Sequence, residues 1–265
     1  MVAASKILSN SCFGLLLTTC GFALSVSAEV VPLDEEDLSE VWGQALLEFH
    51  NSSVTGYDFS RMTFNADIDI SANIGDLGVG LFGTGNIEPL EGAGVAIDIG
   101  SVQLGRSDAS ESQRLVYLNN PYVEFAYSNV DSDTTRRLVG MRVGFEGVSG
   151  QIGVALKTLS GSLLVDLGNE QTINSQNDPL GGMGWDGLRC SDGVTCGASL
   201  ADLGVLTAGN ATGPSRDFFV SVLSEPLTFP SLNNVASLPA LPGIWVNWRD
   251  RLMGALGNIP PNVAK

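Results

Sequence analysis

The sequence predicts a mainly β protein. It is expected to be a glycine-rich, stacked or wrapped antiparallel sheet, of β-solenoid, β-roll or sandwich type, closed by short N- and C-terminal capping helices. Three observations carry this. Apolar side chains alternate with polar ones or glycine in many short runs, the period-two mark of strands with one buried face. Such runs recur at intervals of roughly 10–20 residues, with Gly, Asn or Pro between them. The 32 glycines mark turns but also fall on strand faces, where glycine is tolerated when another group approaches closely. A strict repeat is absent, and only weak echoes are found (IDISANIGDLGVG, GVAIDIGSVQLG, VGFEGVSGQIGVALKTLSG).

Residues 1–28 have the plan of a secretory signal peptide: Lys6, an apolar run from Cys12 to Leu24, and Val26-Ser27-Ala28 before Glu29. A lipoprotein reading would use Cys20, but Thr18-Thr19 before it suit that poorly. The formal charge is −16, one unit more negative without Lys6, which disfavours nucleic acid and anionic membrane as partners. Beyond the leader only Cys190 and Cys196 remain, an even count that predicts one disulfide in an exported chain. It would close a short loop, a gain of about 2 kcal/mol.

Residues 29–44 read as a short helix with Asp34 as N-cap, acidic residues in the first turn and Gly43 as stop. A β-rich core is expected over 45–168. Its strands are Ala45–Phe49, Met62–Ile70, Gly78–Gly83, Val95–Ile99, Ser101–Leu104 and Tyr122–Tyr127, the last preceded by a turn at Asn120-Pro121. The centre of the chain is Arg136–Gly168, with three runs, Leu138–Phe145, Gln151–Leu156 and Ser162–Leu167. In the first, Val139, Met141, Val143 and Phe145 share one face, and Gly140, Arg142 and Gly144 the other.

Residues 169–216 are polar and rich in Asn and Gly, and read as a long functional or poorly ordered loop region holding Cys190 and Cys196. Leu200–Leu206 reads as a short strand or turn within it. Over 217–265 the sequence predicts a strand at Asp217–Leu223 and an extended arm marked by Pro226, Pro230, Pro239 and Pro242. A terminal amphipathic helix over Gly243–Leu256 follows, because Trp245, Trp248, Leu252 and Leu256 recur at three- and four-residue spacing.

Residues for chemistry are few. His50 is the one histidine, in no nucleophile context, and serine-elbow, H-E-x-x-H and phosphate-loop motifs are absent. The scarcity of His and Cys argues against zinc, haem or copper sites. Carboxylates Asp67, Asp69, Asp98, Glu124 and Glu146 are the candidates for a glycosidase pair, and read by default as solvated strand positions. Asp131-Ser132-Asp133 is a weak calcium candidate without the full ligand loop. Thus the sequence predicts no catalytic residue and no cofactor. Trp185, Trp245 and Trp248 are the candidate ligand contacts, as stacking surfaces.

The stretch PLDEEDLSEVWGQALLEF, through Leu33, Asp34, Glu35, Leu38, Ser39, Val41, Gly43 and Gln44, resembles the mature start of a group of exported proteobacterial proteins. These continue as glycine-rich β, and some are labelled pilus-like. The resemblance implies a cell-envelope or surface protein and assigns no catalytic residue. The functional expectation is therefore an exported, non-catalytic protein with a structural or interaction role in periplasm, outer membrane surface or medium. It would associate with itself, with other envelope proteins or peripherally with the outer membrane. The alternative is a module that binds an apolar or glycan ligand between the sheet and region 169–216.

Overall fold

The structure is a computed structural model and describes residues 46–54, 56–81, 95–105, 115–129, 135–191, 196–232 and 237–257. The expected leader, the N-terminal helix with its acidic start motif, and Asp131 and Asp133 lie outside these residues. Thirteen strands form one large mixed sheet. They are β1 (Leu47–Val54), β2 (Tyr57–Phe64), β3 (Asp67–Ile70), β4 (Ala72–Leu81), β5 (Val95–Leu104), β6 (Val116–Ser128), β7 (Arg137–Leu159), β8 (Gly161–Gly168), β9 (Gln171–Asn174), β10 (Leu203–Ala208), β11 (Phe219–Leu223), β12 (Gly243–Trp248) and β13 (Leu252–Leu256).

The pairings sort into long rows, most of them interrupted near the middle. β7 is the axis. Along its first half lie β6 and β11, with Val143 opposite Val123 and Val220. Along its second half lie β5 and β10, with Ile152 opposite Leu104 and Leu206. The row of β2, β3 and β4 flanks β6 and then β5, and β1 flanks β2. On the other side β12 and β13 follow β11 and β10. Both then pair in parallel with β8, which corrects the expectation of a purely antiparallel sheet.

Two halves result. The first comprises β1, β2, β3, β6, β11, β12 and the start of β7; the second comprises β4, β5, β9, β10, β13 and the end of β7. The larger core holds residues of both, among them Val116, Val148, Leu163 and Trp248 with Ile97, Val154, Leu203 and Leu252. Across it β12 comes against β4 and β5. A smaller core lies on the opposite side of the first half, where Leu227, Phe229 and Ala240 of the Pro-rich arm cover Phe59, Ala126, Phe219 and Trp245. The arm is tied back by paired backbone bonds between Leu227 and Ala240, 3.0 and 2.8 Å.

Several expectations are corrected. Leu138–Phe145 and Gln151–Leu156 are not two strands but one, β7, which runs straight through the glycine-bearing stretch between them. Asn120-Pro121 lies inside β6: Asn120 takes the left-handed conformation (φ 47°), and Pro121 falls where β2 gives way to β3. A proline is tolerated at such an irregularity. Within 169–216, β9, two short 3-10 turns and β10 are ordered, and Ile173, Trp185 and Leu200 are buried.

Gly243–Leu256 is no helix but β12 and β13, turned at Arg251 (φ 51°). At a spacing of three, Trp245 and Trp248 point to opposite sides of a strand. Trp245 enters the smaller core and Trp248 the larger one. A strand buried on both faces carries apolar residues without clean alternation, so its pattern imitates a helix.

Candidate functional site

In the first half-sheet the alternation is as the sequence predicts, and the face under the arm is buried although it carries charged side chains among the apolar ones of the smaller core. One cross-strand row reads His50, Arg61, Glu124, Arg142, Ser221, Trp245. Its centre is under the arm. Glu124 accepts from Arg61 Nε at 3.0 Å and from Arg142 Nε at 2.5 Å, and neither Glu124 nor Arg142 is more than 1% exposed. Arg142 also donates to the Pro230 carbonyl at 3.0 Å. Its guanidinium lies over Phe229 (4.5 Å to the centroid), Phe219 and Tyr122. One carboxylate between two guanidinium groups leaves a buried excess positive charge. The aromatic faces and the carbonyl offset it.

The glycines on this face make the room. A Cβ at Gly144 would lie 2.6 Å from the Tyr122 hydroxyl, so the ring can cross β7 only there. Burial pushes the Tyr122 phenol up to about 12, with Arg142 pulling against and Glu124 adding to the rise. Near Ala126 a register shift moves Val139 onto this same face, away from Met141 and Val143 with which it alternates in sequence.

The opposite face is apolar and incompletely covered. Two rows cross it: Phe49, Met62, Val123, Val143, Val220, Val246, and beside it Asn51, Ser60, Phe125, Met141, Val222, Ile244. At the β12 end the second half-sheet covers them. Toward β1 nothing among the described residues does: Phe49 is 71% exposed, Val222 53% and Val143 43%, and Met62, Val123, Phe125 and Met141 are half-buried. Six strands at the usual spacing make a face about 24 Å across.

Of the residues singled out from sequence only Glu124 lies in the Arg61–Glu124–Arg142 cluster, buried and not solvated as expected, and the others are placed elsewhere. Trp185, Trp245 and Trp248 are buried, at 1%, 1% and 7% exposure, so none presents a stacking surface. Cys190 and Cys196 form a disulfide with Cα atoms 5.5 Å apart. Asp98 pairs with Lys157 at 3.1 Å and lies opposite Gly78 and Thr158, not beside Asp67 or Asp69. Asp67 accepts from Asn119 and Glu146 from Asn120. His50 is exposed on β1. Among the described residues no group of three or more His, Cys, Asp or Glu side chains is placed to hold a metal.

A second polar centre lies at the turn between β12 and β13. Asp217 accepts from the backbone of Arg249 and Asp250 at 2.9 Å and from Asn247 at 3.1 Å. Burial pushes its carboxyl up, and the donors of Asp250 and Arg249 pull it back. Every oxygen contact there is internal, so the centre holds the turn.

The sequence reading missed the Arg61–Glu124–Arg142 cluster. Its available signal was an Arg between two glycines in mid-strand, matched by a Glu flanked by apolar residues on another strand. No family model matches this chain, and no curated protein or solved structure is significantly similar to it.

Proposed function

We propose that this is an exported cell-envelope or surface protein with a structural, non-catalytic role, and that it engages a protein partner of the envelope through the open apolar face of its first half-sheet. The observation that carries this reading is the unequal covering of that sheet's two faces. Arg142 and Glu124 are held inside while Val143, Val222 and Phe49 face out. Covering the face would stabilise a complex at about 25 cal/mol per Å² of apolar surface removed from water. Export is supported by the leader pattern of residues 1–28 and agrees with the Cys190–Cys196 disulfide. The resemblance of the Leu33–Gln44 stretch to exported, pilus-like proteins supports a surface or matrix role. Of the finer architectures expected, a wrapped sheet fits the shared long rows better than a solenoid, since those rows carry no repeat.

A second reading is supported by the same face: an apolar ligand spread on it. The glycan version loses its stacking groups, because the three tryptophans are buried.

The test is fractionation of cells that express the full chain or the Val143→Lys/Val222→Lys variant. The reading expects the parent with the envelope or surface material and the variant released in soluble, folded form. Identical fractionation of the two overturns it. Lipid extracted with the parent and absent from the variant would favour the second reading.

A further inference from the structure

The inference concerns the outer edge of β1, which no described strand pairs. A sheet edge offers a row of unpaired N–H and C=O groups, and proteins usually blunt it by shortness, charge, proline or a bulge. The other edges described here are blunted. β3 and β9 have four residues each, and β4 is kinked at Asp76 (φ 43°), which the pairing with β5 skips. β1, LEFHNSSV, has eight residues in unbroken register with β2, no proline or lysine, and exposure on both faces.

Which groups are free follows from the hairpin. Asn65 donates to the Leu46 carbonyl at 2.9 Å, so the even-numbered residues of this strand bond to β2. Leu47, Phe49, Asn51 and Ser53 then direct N–H and C=O to the open side.

We propose that this edge pairs with the same edge of a second copy, antiparallel about a two-fold axis through Phe49. Free-edge parity and charge select that register. Centred on Phe49, the strands place Phe49 against Phe49, Leu47 against Asn51, and Glu48 against His50 twice over. An imidazole N–H of one copy donates to a carboxylate of the other. Centred on His50, the strands would set the two histidines face to face and leave Glu48 opposite Ser52. Centred on Asn51, they would leave Glu48 opposite Val54. The Phe49 register makes imidazole–carboxylate hydrogen bonds and an aromatic cross-strand pair together. It also joins the two open faces edge to edge into one apolar surface, with the Phe49 pair at its middle. The pairing rests on the interaction reading above only in giving the edge a role. It leaves Val143 and Val222 uncovered, so its failure and the failure of that reading are separately visible.

The test is sedimentation equilibrium of protein purified from cells expressing the full 265-residue chain. The parent is expected at twice the monomer mass. Asn51→Pro removes one outward N–H without touching the bonds to β2 and is expected to be monomeric. Glu48→Lys and His50→Glu each turn both cross pairs unfavourable and should weaken association roughly tenfold, and the double variant should restore it. Phe49→Cys should form a disulfide between copies on mild oxidation, since directly bonded pairs lie about 5.5 Å apart at Cα. Ser53→Cys should not. A monomeric parent at every concentration, or a dimer that Asn51→Pro leaves intact in a folded protein, overturns the proposal. A dimer without rescue in the double variant, or cross-linked equally at 49 and 53, overturns the register.

Discussion

The two faces of the first half-sheet use the same strands and differ in what they hold and in how far they are covered. On the arm side, Arg142, Glu124, Arg61 and Tyr122 lie beneath Phe229 and Leu227. On the other, Val143, Met141, Val123 and Phe125 face an open surface. The first face sets its ion cluster among Phe59, Phe219 and Trp245, and it is buried because the arm lies over it, with the Pro230 carbonyl accepting from the Arg142 guanidinium. The second is apolar and open because the second half-sheet folds over only the β12 end. Burial here is decided by what covers a face, and an ion cluster in that face does not prevent it.

The comparison can be broken most forcefully from within the polar face. Glu124→Ala should lower stability by about 3–5 kcal/mol in urea unfolding, because it strands the buried Arg142 guanidinium and leaves the partly buried Arg61 without its carboxylate. The paired replacement Glu124→Leu/Arg142→Met should cost much less than Glu124→Ala, since no unpaired charge stays buried. If the single and paired changes cost the same, the cluster is solvated and the burial argument fails.

Gly144→Ala is the next largest effect. The added methyl meets the Tyr122 ring and should cost about 1–3 kcal/mol, read from the same unfolding curves. Removing the disulfide by Cys190→Ser/Cys196→Ser should cost about 2 kcal/mol or less, because the closed loop is short.

Tyr122→Phe should be near neutral at pH 7, because the buried hydroxyl has no hydrogen-bond partner. Its effect appears in alkali. The folded state holds the neutral phenol, with its pKa raised from 10.0 to about 12. This stability is therefore intact below about pH 10 and is lost as pH rises toward 12, by about 2–3 kcal/mol. Unfolding followed between pH 9 and 12 should show this loss in the parent and a flatter profile in the variant. The smallest effect belongs to the open face: Val143→Thr should change stability by less than about 0.5 kcal/mol.

Much of this arrangement was legible in the sequence. Period two located most strands because alternation is a local property of the backbone. β6 alternates cleanly, with Tyr122, Glu124 and Ala126 against Val123, Phe125 and Tyr127. What alternation could not say is which face is inside, since that depends on the arm, some hundred residues further along the chain. Gly147 and Gly150 read as turn residues, yet they sit inside β7. Trp245 and Trp248 gave a helical spacing because β12 is buried on both sides. Region 169–216 looked loose because its composition is polar, and its order comes from a few anchors: Trp185 bonded to Leu159, Ser175 to Leu163, and Gly182 to Asp178. The edge β1 was recognised as a strand from its first residues only. Its freedom to pair appears once its neighbours are known.

The claim that the Val143 face is outside and the arm-side face, with its ion cluster, inside can be measured with one pair of variants. Val143→Cys and Ala126→Cys place thiols on opposite faces, at positions 43% and 0% exposed. Thiol-reagent labelling of the native protein should be fast for Val143→Cys, and for Ala126→Cys should proceed only at the rate of unfolding. Protection of the Val143→Cys thiol in the native protein, or ready labelling of the Ala126→Cys thiol, would contradict the account.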